Sequence, residues 1–158
     1  MDKLWAPWRM QYISNAKKQK GCLFCRVREE RNDRKNLLLF RSRHVFSMLN
    51  KFPYNNGHLM IAPYRHIKDL GKLRSDEILD LFSVLNKMQG LLKELLKPGG
   101  FNIGINSGAV AGAGIPSHIH VHIVPRWKED TNFMPVVSGT KVISQSLEQL
   151  YAQLHKKI

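Results

Sequence analysis

The sequence predicts a single α+β domain, and three observations carry that prediction. Short apolar runs of four to seven residues recur on both sides of one long segment, each bounded by turn-forming residues. The long segment, 75–97, is the one stretch with a sustained 3.6-residue apolar period. The 158 residues, 43% hydrophobic and 23% charged, suit one core of ordinary size and are not the composition of a disordered chain. Neither an internal repeat nor a low-complexity linker divides the sequence. One domain is therefore assigned to 1–158, with 1–20 as an aromatic, basic arm laid over it and 127–158 as a C-terminal extension.

Taken in order, residues 26–36 are polar and predict a loop or short helix. Leu37-Leu38-Leu39-Phe40 and His44-Val45-Phe46-Ser47-Met48-Leu49 predict two strands flanking a basic turn. Pro53-Tyr54-Asn55-Asn56-Gly57 is a turn by composition, and His58-Leu59-Met60-Ile61-Ala62 is a buried strand ended by Pro63. The helix at 75–97 takes Ser75 as its expected N-cap, Asp76 and Glu77 in a first turn where the dipole favours acids, and Pro98-Gly99-Gly100 as its stop. A strand at 101–106, a loop of small residues at 107–114 and a second strand at 118–124 follow. A further strand at about 136–143 and a short helix from about Ser146 complete the reading.

Charge and composition narrow the function classes. No apolar run approaches the ~18 to 20 residues of a membrane span. The opening residues have neither an apolar h-region nor a small-residue cleavage site, which predicts a cytoplasmic protein without a membrane partner. The net charge is +13, and residues 1–51 hold 13 of the 25 Lys/Arg but 4 of the 12 Asp/Glu. Such a bias attracts polyanions without choosing among nucleic acid, acidic surface and polyphosphate. The two cysteines, Cys22 and Cys25, are too few for a disulfide scaffold. They are half a metal site, a redox pair or two buried thiols.

The chemistry concentrates in His118-Ile119-His120-Val121-His122-Ile123-Val124. On a strand the three imidazoles share one face, and Ile119, Val121 and Ile123 take the other. The outer pair is then ~13 Å apart along the backbone, too far for all three to converge on one zinc ion with nitrogen ligands at ~2.0 to 2.1 Å. A phosphate fits better, with one nitrogen facing phosphorus and its neighbour a non-bridging oxygen. The glycine-rich loop just upstream, including Gly112, Ala113 and Gly114, offers closely approachable backbone N–H groups. Histidine is mostly neutral at pH 7, so it can attack phosphorus once a hydrogen bond fixes its tautomer.

That seven-residue run matches the histidine triad (HIT) motif in full. Asn50, Gly57-His58-Leu59, Arg65-His66-Ile67 and Asn106-Ser107-Gly108 follow the family's order, and the chain resembles the family's bacterial and archaeal diadenosine tetraphosphate phosphorylase or hydrolase branch. The resemblance implies an antiparallel sheet of about five strands with one long and one shorter helix, and a homodimer. It implies His120 as a nucleophile that forms a nucleotidyl intermediate at the α-phosphate of a dinucleoside polyphosphate. His122 would contact that phosphate and His58 would stand beside the nucleophile's strand. Asn50 would take the ribose hydroxyls, with Asn106, Ser107 and the loop after them on phosphate oxygens. It also implies a structural zinc held by Cys22, Cys25, His66 and His118, which would brace the fold and leave His120 and His122 to the phosphate.

One departure bears on the substrate. Many relatives place a Gln or Ser shortly before the triad to donate to the leaving-group oxygen, whereas residues 113–117 here assure only backbone donors. A polyphosphate leaves as a weakly basic anion and needs little protonation, but an amine needs an acid. The expected substrate is therefore a dinucleoside polyphosphate, with adenosine phosphoramidate as the alternative. A non-enzymatic nucleotide- or RNA-binding module, with nucleic acid as a secondary partner of the basic first third, is the competing class. Phe46, Trp8 and Met48 are the apolar candidates for lining a base pocket.

Overall fold

The computed structural model describes residues 21–128, 130 and 143–158. In chain order these form α1 (Leu23–Glu29), β1 (Leu38–Arg41), β2 (Val45–Leu49), β3 (Leu59–Pro63), α2 (Ser75–Leu96), β4 (Gly100–Gly104), β5 (Val121–Arg126) and α3 (Leu147–His155), with 3-10 turns at Leu70–Lys72 and Ala109–Ala111. The strands make one antiparallel sheet in the order β1-β2-β3-β5-β4, so the α+β class and the five-stranded antiparallel sheet are as expected.

Helices cover the sheet on both faces, which is why its central strands read as nearly continuous apolar runs rather than as alternating ones. Val45, Leu49, Leu59, Ile61, Val121 and Ile123 pack with Leu81, Leu85, Met88 and Leu92 of α2 and with Leu150, Tyr151 and Leu154 of α3. Phe46, Met48, Met60 and Ala62 face the other way, onto Leu38 of β1 and Phe24 and Val27 of α1. His122 sits opposite Met60 in the register, so the triad belongs to the α1 side of the sheet.

The structure corrects four boundaries. The helix over the cysteine pair begins at Leu23, ahead of the 26–36 stretch, because burying Phe24 and Val27 fixes it against the sheet. Its C-terminal end is tied down by Arg41 of β1, whose guanidinium donates to the carbonyls of Val27, Arg28 and Glu30 and pairs with Asp33 at 2.7 Å. The N-cap of α2 is Arg74 rather than Ser75, and the Glu77 carboxylate reaches back to accept the Arg74 N–H at 2.9 Å. The helix ends on Lys97 in the left-handed conformation (φ 47°), directly before Pro98.

The strand expected at 118–124 is displaced to Val121–Arg126, because the Ile119 N–H is taken by the Ile67 carbonyl at 2.7 Å, outside the ladder. The strand expected at 101–106 is Gly100–Gly104. Ser146 caps α3 as expected, accepting from the Gln149 N–H at 3.2 Å. The expected arm at 1–20, Trp8 included, and the strand expected at about 136–143, apart from residue 143, lie outside the described residues.

Candidate active site and metal centre

The histidines that the sequence brings forward form two adjoining groups. Cys22, Cys25, His66 and His118 place their ligand atoms within 4.8 Å of one another. Cys22 stands at the N-cap of α1 and Cys25 in its first turn, while His118 precedes β5. Cys22 Sγ lies 3.3 Å and Cys25 Sγ 3.7 Å from His118 Nδ1, and Cys25 Sγ lies 3.2 Å from His66 Nδ1. A tetrahedral ion with metal–sulfur bonds of ~2.3 Å and metal–nitrogen bonds of ~2.0 to 2.1 Å requires donor separations of roughly 3.3 to 3.8 Å. The three sulfur–nitrogen separations lie close to that range and all four donors lie within 4.8 Å, so the set is a candidate metal site.

His118 is prepared for that role. Its Nε2–H donates to the Pro63 carbonyl at 2.9 Å, so in the neutral ring the Nδ1 lone pair faces the sulfurs. Burial pushes its pKa down to about 4, keeping the ring neutral. Burial and the neighbouring Cys22 push the Cys25 thiol up. Arg65, next to His66, is held by a bidentate pair with the buried Glu77 at 2.6 and 2.7 Å and donates to the Lys72 carbonyl. It also keeps the Glu77 carboxyl well below the usual range, at about 2.

The second group is His120, His122, His58 and the turn before β3. Its tautomers follow from groups that can act in only one sense. The Tyr54 backbone N–H can only donate, and it meets His58 Nδ1 at 3.0 Å. A neutral His58 therefore carries its proton on Nε2 and donates to His122 Nδ1 at 2.9 Å. His122 in turn has its proton on Nε2, and that atom is buried without a partner among the described residues. On the other side, His120 Nδ1–H donates to the His118 carbonyl at 2.9 Å, which leaves a lone pair on its Nε2. The His120 and His122 rings meet edge to face at 4.7 Å. Burial lowers both pKa values, that of His122 to about 4. A bare acceptor and an orphaned donor thus stand side by side in a pair of neutral imidazoles.

The remaining candidates are placed less directly. Asn50 is half-buried and already engaged, its Oδ1 accepting from the Phe52 N–H at 2.9 Å and its Nδ2 lying 3.4 Å from His58 Nδ1. Asn106 and Ser107 follow β4, whose Gly104 pairs with His122, so the antiparallel register carries Asn106 toward the His120 end of the site. In the glycine-rich loop, Gly108 and Gly112 adopt left-handed φ values of 88° and 87°. The Gly112 and Ala113 N–H groups donate within the loop to the carbonyls of Ala109 and Gly108, so those two backbone donors are turned inward. Gly114 follows them toward the triad. Phe46 and Met48 are core residues around Phe24, with Phe46 stacked on Tyr64 at 5.5 Å.

Two participants were not visible in the sequence. Tyr54 fixes His58 through its backbone and lays its ring 4.5 Å from His58 and 5.7 Å from His122. Phe24, inside the cysteine pair, touches both His118 and His120. The apolar Leu-Phe between the two cysteines was the available signal for Phe24, and the position of Tyr54 four residues before His58 was that for Tyr54.

Comparison with known proteins identifies the family. The model of the HIT domain matches residues 31–129. The chain belongs to the HIT family. The AP-4-A phosphorylase of Mycobacterium tuberculosis is 36% identical over 155 residues, covering 93% of this HIT protein and 79% of the relative. The asymmetrical bis(5'-nucleosyl)-tetraphosphatase of Schizosaccharomyces pombe is 34% identical over 93 residues, 59% of this chain and 50% of the relative. Among solved structures, a Zn-bound histidine triad protein from Mycobacterium smegmatis superposes with a TM-score of 0.68 at 23% identity, covering 86% of this chain and 91% of that one. A histidine triad nucleotide-binding protein from Sulfolobus tokodaii gives 0.67 at 24%, covering 85% and 90%. At these identities the two structures speak for the fold alone.

Proposed function

We propose that this HIT protein processes dinucleoside polyphosphates, with His120 as the nucleophile at the α-phosphorus. The observation that carries the reading is the His120–His122 pair, a free Nε2 lone pair beside a buried, unpartnered Nε2–H. His120 Nε2 forms a bond to phosphorus while the bond to the bridging oxygen breaks and its electron pair leaves with the departing nucleotide. His122 Nε2–H donates to a non-bridging oxygen, where negative charge grows in the transition state. His58 and Tyr54 hold the proton of His122 on the nitrogen that faces the phosphate. Water or inorganic phosphate then takes the nucleotidyl group from His120 and restores the imidazole. The names of the relatives support the substrate class, as does the surplus of 25 Lys/Arg over 12 Asp/Glu.

The test is turnover of diadenosine tetraphosphate with product analysis. AMP with ATP identifies water as the acceptor, and ADP with ATP, formed when phosphate is supplied, identifies phosphate. His120→Asn is expected to lower kcat by at least about a thousandfold. Wild-type turnover in that variant defeats the mechanism.

We assign zinc to the Cys22, Cys25, His66 and His118 cluster on the donor set and spacing. With four protein ligands it leaves no open position, so a bound ion braces the fold and does no chemistry on the substrate. Metal analysis of freshly reduced protein should give one zinc per chain, and a metal-free, fully folded preparation refutes the assignment. The homodimer is proposed on the exposed Leu79 and Phe82 of α2 and Ile103 of β4. Sedimentation of the purified protein decides it.

A further inference from the structure

We propose that Phe24 is a positioning residue for His120, the side chain through which the Cys22/Cys25 turn of α1 sets the plane of the imidazole. The proposal deepens the reading above and rests on it for the role of His120. Phe24 is fully buried (0% exposed), with its ring centroid 5.1 Å from that of His118 and 4.9 Å from that of His120. It is thus the one aromatic carbocycle recorded, among the described residues, against both a candidate metal ligand and the candidate nucleophile.

The geometry shows why such a contact is needed. The Nδ1–H bond to the His118 carbonyl holds the His120 ring at one atom, and a hydrogen bond tolerates roughly 30° of bending, which leaves the ring some swing about Cβ–Cγ. In-line attack needs the Nε2 lone pair aimed at phosphorus, so the ring plane matters as much as the position. Two rings border that plane: His122 at 4.7 Å and Phe24 at 4.9 Å. His122 also has the phosphate oxygen to serve, which leaves Phe24 as the wall without chemistry of its own.

Phe24 is held from three directions. Cys22 and Cys25 anchor its turn at the candidate metal cluster, and Arg41 anchors the far end of α1. Behind it stands Phe46, with ring centroids 6.2 Å apart. A leucine at position 24 keeps the site apolar and the helix intact but has no flat face to set a neighbouring ring.

The test uses the purified, metal-bearing protein and the variants Phe24→Leu and Phe24→Met, the unbranched methionine serving where the leucine variant does not fold. Three quantities are read: metal content, kcat and KM for diadenosine tetraphosphate, and the 15N signals of labelled histidines, with His120 assigned by its loss in His120→Asn. The expected result is unchanged metal content, KM within about twofold and kcat lower by about tenfold or more. The His120 nitrogens should also shift from a single Nδ1–H tautomer toward the average of two. A folded variant with wild-type kcat and unshifted His120 nitrogens overturns the proposal. Should His120→Asn itself retain turnover, the nucleophile reading fails, and the histidine spectrum still decides whether Phe24 sets that ring.

Discussion

At the scale of single residues, the site depends on which nitrogen carries each proton. The Tyr54 N–H, His58 and His122 form a directed chain ending in the orphaned His122 Nε2–H. Replacing His58 by Phe removes the donor to His122 Nδ1 and frees the His122 tautomer. It is expected to lower kcat by about 10- to 100-fold while KM changes little, as for other partners that orient a working side chain. The same burial has a consequence for stability. His122 has a folded pKa of about 4 against an ordinary value of 6.5. The unfolded chain therefore binds a proton that the folded chain refuses as the pH falls below about 6.5. Stability is fully present above that pH and declines toward pH 4, by up to roughly 3 kcal/mol for this one group. Urea unfolding across that interval should show the loss, and His122→Gln should reduce it by this group's share, with His118, also near 4 in the fold, retaining its own. The triad and its alternation were legible in the sequence, but the tautomers were not, because they depend on the Tyr54 N–H and on the carbonyls of Pro63 and His118.

At the scale of elements, the site is held by the turns that precede its strands. Gly57 opens β3 with φ 75°, and a Cβ there would stand 2.6 Å from Leu96 Cδ1 and 3.0 Å from Pro125 Cγ. Gly57→Ala combines a left-handed backbone with a clash against the C-terminal turn of α2, and should cost about 1 to 3 kcal/mol in urea unfolding. Glu77 does the equivalent work on the metal side, joining the first turn of α2 to Arg65 and hence to the His66 segment. Its carboxyl, at about 2 in the fold, contributes stability above the ordinary 4.5 that is lost as the pH falls toward 2. Glu77→Gln should cost about 1 to 3 kcal/mol, discounted because Arg65 is partly exposed, and should weaken zinc retention against a chelator. The sequence located the strands and α2 by period, but it misplaced the N-cap and the start of β5. Ser75 is a good cap by type, yet the helix begins one residue earlier, where the Glu77 carboxylate takes the Arg74 N–H. The strand pattern at 118–120 is genuine, yet the Ile67 carbonyl draws that segment out of the ladder.

At the scale of the whole molecule, the +13 charge is the property most plainly written in the sequence and the least resolved by it. Part of the basic excess in the first third is compensated locally, through Arg26 with Glu30, Arg28 with Glu29 and Arg41 with Asp33. Arg41 also satisfies the carbonyls at the end of α1, so it serves the fold rather than a partner. What remains is a net positive charge that favours the approach of a polyanion such as the proposed substrate. Its field accelerates encounter with a polyanion and adds little to the chemical step once the substrate is bound. With a screening length of ~10 Å at 0.1 M salt, raising potassium chloride from about 50 to about 300 mM should remove most of it. The expected outcome is a several-fold fall in kcat/KM for diadenosine tetraphosphate with kcat changed less than about twofold. RNA held by the basic surface as a working partner would instead bind with a steep log–log salt slope and survive His120→Asn. A salt-independent kcat/KM together with that RNA behaviour would assign the charge to nucleic acid and remove it from the enzyme's substrate capture.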